Sequence, residues 1–274
     1  MFGVVPKTLW SKVQPADENN LCSWALRCLL IEDGNRLILV DNGIGDKQDA
    51  RFFSHYYLHG EDTLDKSLAR HGFHRDDITD VFLTHLHFDH CGGSIVREGE
   101  KLVLAFKNAV YWSNERHWKW ATEPNDREKA SFLRENILPI AESGQLKMVD
   151  LGGAAGMAGG RLAAVPGIIS GMSVRLANGH TDAMMLPQLH YKGKTVVFMA
   201  DLLPSAAHIP LPYVMGYDMF PLTTLHEKKS FWEEAVIGEY VFFFEHDPVN
   251  ECCVLERAEK GIKAGRTFRL DGWG

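Results

Sequence analysis

Runs of basic residues are missing from this 274-residue chain. Its 29 Lys and Arg are outnumbered by 36 Asp and Glu, for a formal charge of −7. They form no stripe of the kind that tracks a phosphate backbone, so nucleic acid is not the expected partner. Long apolar runs are missing too, and no stretch is long enough to span a bilayer. The start, Met1-Phe2-Gly3-Val4-Val5-Pro6, has neither the basic residues nor the apolar core of a secretory signal. Cysteine is sparse: Cys22, Cys28, Cys91, Cys252 and Cys253 are odd in number and follow no regular framework. Reduced thiols in a cytoplasm are therefore expected. The small-residue stretch 152–160 has no Lys-Ser/Thr pair after it, so it is not a phosphate-binding loop.

What the chain does have is 45% hydrophobic residues, ample for one sizeable core in a chain slightly long for a single domain. The apolar run Val81-Phe82-Leu83 reads as a buried strand. It leads into Thr84-His85-Leu86-His87-Phe88-Asp89-His90, which places three histidines and a carboxylate at a strand end. Cys91-Gly92-Gly93 follows. Neutral imidazole and carboxylate are ligands for borderline divalent metals. In a turn after a strand, His85 and His87 can hold one ion while Asp89 and His90 hold another. Gly92 and Gly93 let the backbone turn tightly beneath them. Cys91 is read as packing.

Residues 1–24 read as an irregular arm, with Trp10 directed to the core. Ala25 to Ile31 and Arg36 to Val40 flank Glu32-Asp33-Gly34-Asn35 as a hairpin. Thr63 to Arg70 reads as a helix, with Gly72 as its terminator. Leu102 to Phe106 and Ala109 to Trp112 read as strands. Ser113 to Gln145 reads as one or two amphipathic helices serving as a substrate lid, a dimer contact or a core cap. Further strands are expected at Ser173 to Leu176, Met184 to His190, Thr195 to Ala200 and Tyr240 to Phe244. Thr224-Leu225-His226-Glu227 has the form of a capping box opening a helix through Val236.

The His-x-His-x-Asp-His pattern resembles the signature of the metallo-β-lactamase fold. The resemblance covers essentially the whole chain and implies three further ligands, each after a strand. These are His180 in Asn178-Gly179-His180-Thr181, Asp201 in Phe198-Met199-Ala200-Asp201, and His246 in Phe244-Glu245-His246-Asp247. The implied fold is α/β, a four-layer αββα sandwich forming a single domain of two similar halves, about 1–145 and 146–274. The implied ligation puts His85, His87 and His180 on one metal and Asp89, His90 and His246 on the other, with Asp201 bridging. Asp41 supports the metal loop from behind. Relatives carry a strand before the equivalent of Met1-Phe2-Gly3, so either that strand is missing or the sequence is truncated. No cysteine stands at the bridging position, unlike one class of true β-lactamases. His87 stands where flavin-linked di-iron oxidases of this fold place a glutamate, which disfavours redox chemistry.

Phe2-Gly3-Val4-Val5-Pro6-Lys7 and the segment from Asp201-Leu202-Leu203-Pro204 to Tyr217-Asp218 are similar to the branch that contains quorum-quenching N-acyl-homoserine lactonases of the YtnP type. The resemblance implies a dinuclear hydrolase in which a metal-bridging hydroxide attacks the carbonyl of a lactone or ester. Asp89 would move the proton to the leaving group. Two divalent ions against Asp89, Asp201 and a hydroxide leave the site at roughly +1, which favours an oxyanion. The expected cofactors are two divalent ions, Zn²⁺ first, with Mn²⁺, Fe²⁺ and Co²⁺ as alternatives. The expected partner is a small-molecule substrate, with a homodimer open and no membrane. Several lactonases place a tyrosine soon after the bridging aspartate, whereas here the first is Tyr213. His208 and Tyr217 are the expected substitutes, and Met215, Met219, Phe220 and Leu222 line either an acyl pocket or the core. An organophosphate or phosphoester hydrolase, a mononuclear iron sulfur-dioxygenase and an inactive metal-binding protein are the alternative readings.

Overall fold

The computed structural model describes residues 1–153, 162–271 and 273. The glycine-rich stretch noted at 152–160 lies outside the described residues from Ala154 onward. Two compact units emerge, one of residues 28–149 and one of residues 1–27 with 150–274. The first 27 residues thus belong with the second half of the chain.

In the unit 28–149, five strands form one sheet. They are β1 (Leu29–Asp33), β2 (Arg36–Val40), β3 (Asp80–Phe82), β6 (Val110–Ser113) and β7 (Leu146–Met148), in the order β1-β2-β3-β6-β7. A separate hairpin pairs β4 (Ile95–Glu98) with β5 (Lys101–Leu104). β1 and β2 are antiparallel around Gly34, whose φ of +59° suits glycine. β2, β3, β6 and β7 are mutually parallel neighbours, so their carboxyl ends share one edge. Val81 and Phe82 are fully buried, as a continuous apolar run in a parallel sheet requires. The helix Leu64–Arg70 starts at Thr63, whose hydroxyl accepts from Lys66 N at 3.2 Å. The stretch 113–145 holds two helices, Glu115–Thr122 and Arg134–Glu142. Ile137 and Ile140 of the second join Leu39, Val81, Leu83 and Phe106 in the core.

In the other unit, seven strands form one sheet: β8 (Ala163–Pro166), β9 (Met172–Ala177), β10 (Met184–Tyr191), β11 (Lys194–Phe198), β12 (Val241–Phe243), β13 (Cys252–Ala258) and β14 (Gly261–Phe268). They are hydrogen-bonded in chain order, and β11/β12 is the one parallel pair. Strands β9, β11 and β12 therefore run in the same direction and end at one edge. The β13–β14 hairpin was not expected from sequence. It carries the charges Glu256, Arg257, Lys263 and Arg266, and its outer half is exposed.

Two expectations need correction. The stretch Ala25 to Ile31 is not one strand. Ala25 and Arg27 donate their N–H groups to His246 O and Glu245 O at 3.0 and 2.9 Å, and β1 begins only at Leu29. The late helix spans Pro221–Ile237, not Thr224 onward, because Pro221 occupies the first helical position, where its missing N–H costs nothing. Thr224 is thus inside the helix, and Glu227 accepts from Asn178 N at 2.7 Å and Gly179 N at 3.2 Å instead of capping. In the arm, Lys7–Trp10 forms one helical turn, and Trp10 stacks on Phe2 at 5.2 Å. Among the described residues no helix is long and apolar enough to cross a membrane.

Candidate metal centre

In the unit 28–149, the edge where β2 and β3 end carries the first set of candidate ligands. Just past β2, Asp41 is fully buried and accepts from Thr84 N at 2.8 Å, Thr84 Oγ1 at 2.6 Å and His90 Nδ1 at 3.0 Å. Because Thr84 Oγ1 spends its proton on Asp41, it is an acceptor for His85 Nδ1 at 3.0 Å. His85 and His90 thereby keep the lone pairs on Nε2. His87 is wired the other way: its Nε2 is 2.9 Å from Glu128 Oε1 and its Nδ1 is 3.0 Å from His85 Nε2. Asp89 is about a third exposed, with Oδ1 3.9 Å from His90 Nε2. Side-chain partners of this kind fix which ring nitrogen is left for an ion.

Gly92 and Gly93 are required for space more than for turning. Gly92 has an ordinary φ of −61°, but a Cβ there would lie 2.2 Å from Ile44 O, and one at Gly93 would lie 2.2 Å from Asn42 O. Lys47, buried, donates to Gly92 O at 2.5 Å, and burial pushes its ammonium down to about 8. The Cys91 thiol is buried, donates to Leu86 O at 3.3 Å, and burial drives it up to about 12. It is a packing group, as expected.

In the other unit, the shared edge of β9, β11 and β12 carries His180, Asp201 and His246. Asp201 lies in a single 3₁₀ turn, Ala200–Leu202. Ala200 has a φ of +41°, a left-handed conformation that costs an alanine about 1–3 kcal/mol. The two Asp201 oxygens face different rings: Oδ2 is 3.1 Å from His180 Nε2 and Oδ1 is 3.0 Å from His246 Nε2. The rings are held from behind, His180 Nδ1 by Asp218 Oδ1 at 3.0 Å and His246 Nδ1 by Ala25 O at 2.8 Å. A carbonyl can only accept, so His246 carries its proton on Nδ1 and turns its lone pair toward Asp201. A lone pair and a carboxylate oxygen at this separation need a cation or a proton between them. The donor set of imidazole and carboxylate fits a divalent ion of N/O preference.

The remaining expected residues are placed as follows. His208 is buried, with Nδ1 2.8 Å from Ser205 Oγ, Nε2 3.3 Å from Met1 O, and its ring stacked on Phe2 at 4.4 Å. Burial and the nearby Lys228 push it down to about 3, so it is neutral near pH 7. Tyr217 is 59% exposed. Met215 is buried, whereas Phe220 and Leu222 are exposed. Sequence reasoning missed Glu128 and His117, and it took Glu227 for a helix cap when its carboxylate accepts from Asn178 N and Gly179 N. An acid at the end of the polar run Asn125-Asp126-Arg127-Glu128 reads as surface, and nothing local marks it as buried. Asp218 was visible only as part of a longer resemblance.

The sequence matches the Metallo-beta-lactamase superfamily profile over residues 27–236. No curated protein matches it in sequence. Among solved structures, a probable metal-dependent hydrolase from Staphylococcus aureus superposes with a TM-score of 0.84 at 25% identity, covering 100% of this chain and 92% of that one. AidC, a dizinc quorum-quenching lactonase in complex with the product N-hexanoyl-L-homoserine, gives a TM-score of 0.68 at 24% identity over 90% of this chain and 81% of its own. AbOPH, a hydrolase in the beta lactamase superfamily, gives 0.73 at 19% identity over 97% and 88%. The last two likenesses show the fold. With the family profile spanning most of its length, this chain belongs to the metallo-β-lactamase superfamily and is a hydrolase.

Proposed function

We propose that the protein is a dinuclear metal-dependent hydrolase of lactones or esters, with N-acyl-homoserine lactones as the first substrates to try. The observation that carries this reading is Asp201, whose two oxygens each face a different imidazole nitrogen at 3.0–3.1 Å. One carboxylate with a separate histidine on each oxygen is suited to bridge two ions. In the ligation that the resemblance implies, His85, His87 and His180 would hold one ion, Asp89, His90 and His246 would hold the other, and Asp201 would be shared. Zinc suits this donor set, as do Mn²⁺, Fe²⁺ and Co²⁺. When bound, such a pair supplies Lewis acidity for a carbonyl and a water acidified to a pKa of about 7.

The chain's own residues do the rest. Six of the seven proposed ligands are buried and Asp89 is partly exposed, so Asp89 is the ligand able to exchange a proton with a leaving oxygen. It takes the general-acid role that ring opening of a lactone needs. Of the two side chains considered for the early tyrosine of related lactonases, we assign Tyr217 to the substrate. His208, uncharged and with both nitrogens engaged, is assigned to packing its loop. The names of the solved relatives favour the same class, since a lactonase with a bound acyl-homoserine product is among them.

The test is kcat/KM of the metal-replete enzyme on medium-chain lactones, aryl esters, phosphotriesters and β-lactams, with metal counted per chain. The expected ranking follows that order, with β-lactams negligible and two equivalents of metal. Phosphotriesters outpacing lactones, or a stable single equivalent, overturns the reading.

A further inference from the structure

Beyond Asp41, a second buried carboxylate touches the His-x-His-x-Asp-His loop, and it comes from the stretch whose purpose the sequence left open. Glu128 is 1% exposed. Its Oε1 is 2.9 Å from His87 Nε2, while Oε2 accepts from Trp120 Nε1 at 2.6 Å and from Asn125 Nδ2 at 3.3 Å. Asn125 also orders the turn, accepting from Glu128 N at 3.1 Å. A carboxylate this deep is tolerated only where its oxygens are paired. Here the three N–H groups that pair it come from the metal loop and from the stretch after β6.

We propose that Glu128 is a positioning residue for His87, and that the stretch 114–131 is a fixed outer wall of the metal loop, not a substrate lid. By taking the proton on Nε2, Glu128 leaves the Nδ1 lone pair of His87 for an ion. Asp41 does the reverse for His90, taking the Nδ1 proton. Two carboxylates thus orient two neighbouring histidines in opposite senses. Two more bonds extend the wall: Leu86 N donates to His117 Nε2 at 2.9 Å, and Phe88 N donates to Ser131 O at 3.0 Å. Three consecutive residues, Leu86, His87 and Phe88, are therefore each tied to this stretch. His117 is fully buried and held at the start of its helix, where its N–H donates to Asn114 Oδ1 at 2.8 Å. A lid must lift away, and lifting this stretch would remove the partner of a ligand.

The inference rests on the metal reading above, so its test has one arm that needs no metal. In metal-free protein, NMR should show a downfield imidazole N–H proton for His87, protected from exchange and absent in Glu128→Ala. In chelator competition, Glu128→Ala should bind Zn²⁺ or Co²⁺ about 10–100-fold more weakly and alter the Co²⁺ absorption spectrum. Excess metal should restore most of kcat. Glu128→Gln and Trp120→Phe guard against a misfolded Ala variant. The Gln amide can satisfy His87 only by turning its NH₂ toward Trp120 Nε1–H, so both variants should show smaller losses in the same direction. Wild-type affinity, Co²⁺ spectrum and N–H signal in the folded variants would overturn the proposal. If the wild-type chain binds no metal, the proposed function falls, and the N–H signal still decides whether Glu128 holds His87.

Discussion

The two sets of candidate ligands are built differently. In the unit 28–149, four sit within one loop, and that loop is held by side chains imported from elsewhere: Asp41 after β2, His117 and Glu128 after β6. In the other unit, three sit at three strand ends, and the sheet itself is the jig. β9, β11 and β12 run the same way, so His180, Asp201 and His246 arrive at one edge without any local motif. Their supports are correspondingly plain, namely a backbone carbonyl behind His246, Asp218 behind His180, and Glu227 on the two N–H groups that precede it. A loop gains rigidity from added contacts, whereas ligands on strand ends inherit it from the ladder.

The largest effect should come from breaking the strand-borne set at its centre. Asp201→Ala removes the group facing both His180 and His246. It should abolish turnover and strip metal well beyond the loss of about 10–100-fold typical of supporting residues. Metal content and kcat measured on the same preparation check this, and retained metal with residual turnover would deny Asp201 its central place.

Smaller effects should rank the two kinds of support. Asp41→Ala frees Thr84 as well as His90 and should lie toward the upper end of that 10–100-fold range in metal affinity. Asp218→Ala loosens a ring whose backbone the strand end already fixes, and should lie toward the lower end. The comparison breaks if the order reverses.

The same contrast explains what was legible. The loop set could be read directly, since His85, His87, Asp89 and His90 stand together after an apolar run. The strand set was reachable only through resemblance, because a lone His or Asp after a strand carries no signal. Most strands were readable where apolar runs are continuous, as in Val241–Phe243, and unreadable where charges interrupt them, as at Glu256 and Arg257 of β13 and Lys263 and Arg266 of β14. Glu227 misled for a physical reason: a Thr-x-x-Glu spacing fits a cap, but Pro221 started the helix a turn earlier and the carboxylate went to Asn178 and Gly179. The setting of His208 depends on Phe2, too far along the chain for local reasoning to reach.

The mildest prediction concerns a support of the loop after Asp201. Lys228, on the helix Pro221–Ile237, is 1% exposed and donates to the carbonyls of His208, Pro210 and Tyr213 at 2.6, 3.2 and 3.1 Å. Burial pushes its ammonium from 10.5 down to about 7. Between those values the unfolded chain binds a proton that the folded chain does not, so this group's contribution to stability grows as pH rises from about 7 toward 10.5. His208, depressed from 6.5 to about 3, acts in a separate window, where stability is lost as pH falls through that range. Urea midpoints at pH 7 and pH 9 should therefore rise with pH in the wild type. In Lys228→Met that rise should shrink, while loss of the donor to the His208 and Tyr213 carbonyls costs about 1–3 kcal/mol at either pH; Pro210 O still accepts from Tyr213 N at 2.9 Å. An unchanged slope would mean that Lys228 keeps its proton in the fold, and that the loop is held by a charged peg throughout.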